Sequence, residues 1–202
     1  KFKELASEKL GFPINTPTAY KLCDFKPVLG KIFEDYFKDY DFWGHIDLDI
    51  IWGDINKFIP NEILENYDLI SGSTEKICGP FTIYKNNGEY NDLQIKVFGE
   101  EEYKNLINSP EFEYIDEIWN DKLIKALPNL KIFNSHKCGS GAIDLVRYGK
   151  NRTPAYWSEG KMIVESYQKD YPGQKVFCGF GAETMLFHVR EKVMWHEVDL
   201  KE

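Results

Sequence analysis

The stretch YDFWGHIDLDIIWGD, residues 40–54, is the most informative part of the sequence. Aromatic and β-branched residues fill it from Phe42 to Trp52, a composition that favours a buried strand. Asp47 and Asp49 interrupt that run, although an ionised carboxylate is costly to bury unless it is paired or bound to a metal. On a strand, positions i and i+2 share one face, and hard cations prefer oxygen ligands. The motif therefore predicts a Mg²⁺ or Mn²⁺ site; the alternative is a strand end that caps the next helix or turn.

The composition favours one folded domain that does not bind nucleic acid. The chain has 202 residues, 43% hydrophobic and 15% aromatic, which is enough for a sizeable core. Its net charge is −8, and no lysine or arginine cluster is long enough to follow a phosphate backbone. No apolar run approaches the roughly 20 residues of a transmembrane helix, and we expect no signal peptide. We expect a cytoplasmic protein with no transmembrane segment, which can still make peripheral contact with the inner face of a membrane.

The four cysteines lie far apart and form no C-x-x-C motif, at Cys23, Cys78, Cys138 and Cys178. This spacing argues against a zinc site. It predicts reduced thiols, with two disulfides as the alternative.

Apolar periodicity and turn residues predict a mixed α/β arrangement. Helical spacing is expected in residues 2–10, 32–40, 103–107 and 112–127. Strands are expected at 67–72, 81–86, 132–133, 176–178 and 185–189, with a hairpin over 155–164. Because these elements follow no strict βαβ repeat, the prediction is a mixed sheet with flanking helices.

Three segments in this order resemble bacterial GT-A-type glycosyltransferases of the capsular and polysaccharide kind. They are YKLCDFKP at 20–27, followed by an amphipathic helix, then DFWGHIDLD at 41–49, and GPFTIYKN at 79–86. The resemblance implies a single GT-A-like domain over residues 1–202 that functions in polysaccharide biosynthesis. Its donor would be a nucleotide sugar, UDP-linked, and its acceptor a glycan or lipid-linked glycan.

The resemblance also implies roles for individual residues. Asp47 and Asp49 would bind Mn²⁺ or Mg²⁺ together with the donor diphosphate. Asp24, with Lys21 and Lys26, would contact the nucleotide, although Pro27 stands where the family has arginine. The alternative for Asp24 is a helix N-cap or a local salt bridge.

A late histidine completes the implied donor site. His188 ends an apolar run and would be the third metal ligand, and Arg190 and Lys192 follow closely enough to bind the diphosphate. The alternative for His188 is a core histidine bonded to a backbone carbonyl.

Three carboxylates are candidates for the catalytic base that an inverting enzyme needs to deprotonate the acceptor hydroxyl. Asp116 and Glu117 occupy a position where the family often places this residue, and Glu183 is the competitor. The alternative for each is a solvated surface acid.

The chain departs from the GT-A pattern before the D-x-D motif. GT-A domains begin with a βαβ unit that holds the nucleobase, and Asp47 comes too early in the chain for that unit to precede it. We therefore expect either that the N-terminal strands lie outside this chain or that it is a reduced relative. Two other functions remain open: a non-catalytic carbohydrate-binding or scaffold domain of the same fold, and a metal-dependent phosphohydrolase.

Overall fold

A computed structural model gives the fold for most of the first two thirds of the chain. It describes residues 1–15, 18–48, 50–52, 54–73 and 75–134, and beyond these the strand residues 155–158, 161–164, 170–171, 174–175, 182–184 and 186–188. The chain divides into two units, which we call unit 1 (Lys1–Ile46 with Asn66–Asn134) and unit 2 (Asp47–Glu65 with Ser135–Glu202). The single domain expected over 1–202 stays a prediction.

The helices are short. They are α1 Phe2–Leu10, a 3₁₀ helix at Tyr20–Val28, α2 Leu29–Ile32, α3 Glu34–Phe37, α4 Ile55–Phe58, α5 Asn61–Asn66, α6 Leu93–Phe98, α7 Glu100–Asn108 and α8 Asn120–Ala126. The strands are β1 Phe42–Ile46, β2 Ile50–Trp52, β3 Leu69–Ser71, β4 Phe81–Lys85, β5 Ile132–Asn134, β6 Ala155–Ser158, β7 Lys161–Val164, β8 Asp170–Tyr171, β9 Gln174–Lys175, β10 Ala182–Thr184 and β11 Leu186–His188.

A four-stranded mixed sheet in the order β1-β4-β3-β5 forms the centre of unit 1. β4 pairs antiparallel with both β1 and β3, and β3 pairs parallel with β5. The predicted mixed sheet with flanking helices is therefore confirmed, together with the strands expected at 67–72, 81–86 and 132–133.

Trp43 on β1 anchors the core between the sheet and its helices. Its ring stacks on Tyr84 at a centroid distance of 4.4 Å and an interplanar angle of 11°. Its Nε1 donates to Asn91 Oδ1 at 2.8 Å. Gly30 is required beside this ring, because a Cβ there would lie 2.2 Å from Trp43 Cε2.

A second apolar cluster joins α1, the 3₁₀ helix and α7 within unit 1. Its buried members are Ala6, Phe12, Ile14, Phe25, Val28, Ile32, Tyr103, Ile107 and Ile115. The predicted helix over 2–10 is confirmed as α1. Gly11 ends it with φ 78°, and its N–H donates to the Ser7 carbonyl at 3.0 Å, a left-handed C-cap that glycine adopts without strain.

The helix predicted over 112–127 is wrong in its first half. Only Asn120–Ala126 is helical. The backbone N–H groups of Glu113 and Ile115 donate to the Asp24 carboxylate, and Ile118 O accepts from Ile77 N. Because these peptide groups bond to other segments, they cannot form the i to i−4 ladder of a helix.

The helix predicted over 32–40 is divided at Phe33. This residue has φ −107° and ψ 24°, outside the α-helical region, and it separates α2 from α3. Its ring packs on Phe2 of α1 and on Tyr36 and Phe37 of α3. The aromatic side chains that suggested one amphipathic helix therefore belong to two short turns.

The structure describes four strand pairings in unit 2. β6 and β7 form the hairpin predicted over 155–164, with Ser158 opposite Lys161, and β10 adds to β7. β11 confirms the strand predicted over 185–189 and pairs with β2. β8 pairs with β9, and the strand predicted over 176–178 lies outside the described residues.

Two further expectations concern the membrane and the thiols. None of the described helices is long and apolar enough to cross a lipid bilayer. Cys23 and Cys78 carry no disulfide, and Cys138 and Cys178 lie outside the described residues.

Candidate functional site

The D-x-D segment connects two strands with different partners. β1 ends at Ile46, Asp47 follows in a half-buried position, and Leu48 is 99% exposed in a turn. Asp49 lies outside the described residues, and β2 begins at Ile50. The prediction of one continuous strand through Asp47 and Asp49 is wrong, because β1 ends at Ile46 and pairs with β4, whereas β2 begins at Ile50 and pairs with β11.

The partner of β2 contains the predicted third metal ligand. β11 runs antiparallel to β2, with Leu186 opposite Trp52 and His188 opposite Ile50. Directly opposed Cα atoms in such a pair lie about 4.5–5.5 Å apart. The backbone of His188 therefore lies beside Ile50, the residue that follows Asp49, although 137 residues separate them in the chain.

The other predicted site residues of the C-terminal part are only partly described. Glu183 lies on β10 with its backbone opposite Ile163 of β7. Arg190 and Lys192 lie outside the described residues. Where side chains are described, no group of three or more His, Cys, Asp or Glu could hold a metal ion. The metal site at Asp47, Asp49 and His188 therefore stays a prediction.

Lys21 and Asp24 form a completely buried ion pair in unit 1. Both side chains are 0% exposed, and Lys21 Nζ lies 2.8 Å from Asp24 Oδ2. Lys21 Nζ also donates to the carbonyls of Leu106 and Glu111, each at 2.7 Å. The three bonds match the three donors of the ammonium group.

The Asp24 carboxylate holds the backbone of the loop before α8. Oδ2 accepts from Glu113 N at 2.9 Å, and Oδ1 accepts from Ile115 N at 3.1 Å. The nucleotide-binding prediction for Lys21 and Asp24 is therefore corrected, because both side chains are enclosed and bonded within the unit. The local salt bridge, which the sequence left as the alternative, is what the structure contains.

Lys26 is also directed into unit 1. Its Nζ donates to the Gly79 carbonyl at 3.0 Å and lies 3.7 Å from Asp116 Oδ2. Only 14% of its side chain is exposed. Its predicted contact with a nucleotide is therefore replaced by an internal contact with the turn at Gly79.

Asp116 occupies the interior next to that turn and is only 3% exposed. Burial raises the pKa of its carboxyl to about 7, with further upward effects from Glu117 and Asp24 and a downward effect from Lys26. Gly79 packs directly on this carboxyl, since a Cβ there would lie 2.7 Å from Asp116 Oδ2. The enclosure argues against direct contact with an acceptor and corrects the alternative of a solvated acid.

Glu117 and His45 have other partners. The Glu117 carboxylate forms an ion pair with Lys76, and both side chains are partly exposed. His45 Nε2 lies 3.2 Å from the Cys78 carbonyl and so donates to it. Burial, followed by the charge of Lys26, lowers the pKa of His45 to about 3, which keeps the ring neutral. His45 therefore has a structural role in unit 1.

The sequence analysis missed three aromatic residues at the surface of unit 1, Tyr20, Phe112 and Tyr114. Tyr20 and Tyr114 are 65% and 64% exposed. A signal for them was present in the sequence, because acidic and aromatic residues alternate over Glu111-Phe112-Glu113-Tyr114. The apolar spacing of the same segment predicted a helix instead.

Comparison with known families gives one match, over residues 1–201, to a family described as "Family of unknown function (DUF6625)". The chain belongs to the DUF6625 family. No curated protein and no solved structure matches this DUF6625 chain significantly.

Asp116 should make the stability of the DUF6625 chain depend on pH. Its pKa is about 7 when folded against an ordinary value of 3.8, so the folded state binds more protons between these values. The free energy of unfolding contributed by this group is therefore present below pH 4 and is lost as pH rises to about 7. Asp116→Asn mimics the protonated carboxyl. It should match the wild type near pH 4 and exceed it by about 1–3 kcal/mol at pH 8.

Urea denaturation at pH 4, 6 and 8 measures this difference. Asp39→Asn is the matched control, because Asp39 is exposed and its substitution should preserve the wild-type pH dependence. An Asp116→Asn variant that is less stable than the wild type at pH 8 would contradict the assignment.

Proposed function

We propose that this DUF6625 chain is a GT-A-like glycosyltransferase. It transfers a sugar from a UDP-linked donor to a glycan or lipid-linked glycan acceptor, with Mn²⁺ or Mg²⁺. The observation that carries the proposal is the antiparallel pairing of β11 with β2, in which His188 lies opposite Ile50. This pairing supports a site shared by the D-x-D segment and the C-terminal part of the chain.

The predicted donor set is chemically suited to such a metal. Two carboxylates and one imidazole, from Asp47, Asp49 and His188, are ligand types that Mn²⁺ accepts, and Mg²⁺ prefers the carboxylate oxygens. The exposed turn at Leu48 supports access from solvent. When bound, the ion would neutralise the charge that develops on the leaving diphosphate.

The basic residues after β11 have a complementary task. Arg190 and Lys192 follow His188 by two and four residues. In the proposed reaction they donate hydrogen bonds to phosphate oxygens and stabilise the leaving group as its charge grows.

Glu183 is the carboxylate that we assign as candidate base. It belongs to the same unit as Asp47 and His188. Asp116 is enclosed within unit 1 and Glu117 is paired with Lys76, so neither carries the proposal. In an inverting reaction Glu183 would take the proton of the acceptor hydroxyl.

Thermal unfolding with a nucleotide panel tests the function. UDP, GDP and CMP sugars are added with Mn²⁺ or with EDTA, since a ligand that binds the folded state raises its apparent stability. We expect the UDP sugars to raise Tm only with Mn²⁺. His188→Ala should weaken this binding by about 1–3 kcal/mol, the scale of one good charged or metal contact.

His136→Ala is the matched control, since His136 is not followed at the second and fourth positions by basic residues such as Arg190 and Lys192. Equal weakening in both variants would contradict the role of His188. Metal-dependent release of inorganic phosphate without an acceptor would favour the phosphohydrolase instead, and glycan binding without any nucleotide binding would favour the carbohydrate-binding domain.

A further inference from the structure

Three aromatic rings form one continuous patch on unit 1, which we call the aromatic platform. Tyr20 contacts Phe112 at a centroid distance of 4.9 Å, and Phe112 contacts Tyr114 at 4.2 Å. Tyr20 and Tyr114 are 65% and 64% exposed, whereas Phe112 is half-buried between them. Isolated exposed apolar residues are common on protein surfaces, but contiguous patches mark interaction sites.

The backbone at Tyr114 is held in an unfavourable conformation. Tyr114 has φ 57°, and among the non-glycine residues that the structure describes it is the one with a positive φ. A bulky residue in this region costs free energy and persists only where the surroundings enforce it. The two amides that flank it, those of Glu113 and Ile115, both donate to the Asp24 carboxylate. The loop is therefore fixed on each side of Tyr114.

The buried Lys21–Asp24 pair gives this loop its anchor. Lys21 Nζ bonds to Asp24 and also to the Glu111 carbonyl at the start of the loop. Burying two charges is costly unless their geometry is excellent and every donor is used. Here the pair holds residues 111–115 in place. The free-energy cost of burying its two charges is therefore linked to the position in which Tyr114 is held at the surface.

Two acids, which alternate with Phe112 and Tyr114 in the chain, restrict what the platform can bind. Glu111 is exposed, and Glu113 is half-buried with its carboxylate accepting from Ser109 Oγ. Carboxylates beside aromatic rings can accept hydrogen bonds from sugar hydroxyls, while the C–H groups of a sugar face pack on the rings. The same negative charges repel the phosphates of a nucleic acid, whose bases would otherwise stack on such rings.

We propose that the aromatic platform of Tyr20, Phe112 and Tyr114 is a binding site for an uncharged glycan. The site goes beyond the proposed glycosyltransferase function, because it uses residues of unit 1 alone. The binding itself needs neither the metal nor the nucleotide.

Saturation-transfer NMR with full-length chain and three neutral hexasaccharides, maltohexaose, cellohexaose and chitohexaose, tests the site. We expect at least one of them to bind without UDP or Mn²⁺. Tyr114→Gly should raise its Kd at least tenfold, because glycine keeps a positive φ without strain and removes only the ring. Tyr114→Phe should retain binding.

Tyr40→Ala is the matched control. Tyr40 is 66% exposed, close to the exposure of Tyr114, but it is not part of the platform, so its loss should leave Kd unchanged. Decathymidylate and decaproline test two other kinds of partner that stack on aromatic rings, single-stranded nucleic acid and proline-rich peptide.

The outcomes separate this inference from the proposed function. Absence of hexasaccharide binding, or binding that Tyr114→Gly leaves intact, overturns the platform as a glycan site, and so does tighter binding of decathymidylate or decaproline. If UDP and Mn²⁺ bind normally in that case, the glycosyltransferase proposal is unaffected. If a hexasaccharide binds through Tyr114 but UDP does not bind, the platform stands and the transferase proposal fails.

Discussion

Replacing Asp24 by alanine should lower the free energy of unfolding by about 3–5 kcal/mol, because it leaves the buried Lys21 ammonium without its counter-charge. The same substitution removes the acceptor of two backbone amides, those of Glu113 and Ile115. Unsatisfied buried donors add to the loss. Urea denaturation followed by circular dichroism measures the effect.

Asp35→Ala provides the matched control for that experiment. Lys9 Nζ lies 2.7 Å from Asp35 Oδ2, a shorter distance than in the buried pair, but the Asp35 side chain is 75% exposed. Because this pair is exposed, Asp35→Ala should lower the free energy of unfolding much less than Asp24→Ala. A similar loss of stability in both variants would show that the Lys21–Asp24 pair is not the anchor that we infer.

Replacing Asp49 by alanine should reduce Mn²⁺-dependent binding of UDP at least about 100-fold, or about 2.8 kcal/mol, which is the upper end of the range for one charged contact. The proposed site holds the metal through few protein ligands, so the loss of one carboxylate removes much of the negative charge that attracts the cation. Stability should change little, since Leu48, the residue before Asp49, is 99% exposed. Calorimetric titration of UDP in Mn²⁺ measures the binding.

Asp39→Ala is the control for Asp49→Ala, since Asp39 is an exposed aspartate at the end of the helical region. It should bind UDP as the wild type does. Unchanged UDP affinity in folded Asp49→Ala would exclude this residue from the donor site.

Elements whose signals are local could be predicted from the sequence. The end of α1 at Gly11 is one example, because the left-handed cap depends on glycine and on the residues of the last turn. The hairpin of β6 and β7 is another, since its turn residues lie within the predicted segment. In both, the interactions that determine the structure lie close together in the chain.

The break in the D-x-D strand could not be predicted in the same way. The composition of residues 42–52 fits one buried strand. The division at Asp47 reflects the pairing of β1 with β4 and of β2 with β11, which are long-range contacts. The local sequence pattern cannot show that the two halves of one apolar run pair with different strands.

The roles of Asp24 and Asp116 also depend on distant segments. The amides that bond to Asp24 lie 89 and 91 residues further along the chain. The sequence could show a lysine three residues before an aspartate, but not that both side chains are fully buried. Likewise, the raised pKa of Asp116 follows from its enclosure beside Gly79, which the acidic pair Asp116-Glu117 does not reveal.

Electron paramagnetic resonance of Mn²⁺ tests the central claim most directly, because only free hexaaquo Mn²⁺ gives the sharp six-line signal in solution. We predict that wild-type protein and UDP together reduce this signal below the level that either gives alone, and that adding EDTA reverses UDP binding. A signal in the mixture equal to that of UDP with Mn²⁺ and no protein would contradict a metal-dependent nucleotide site in this chain.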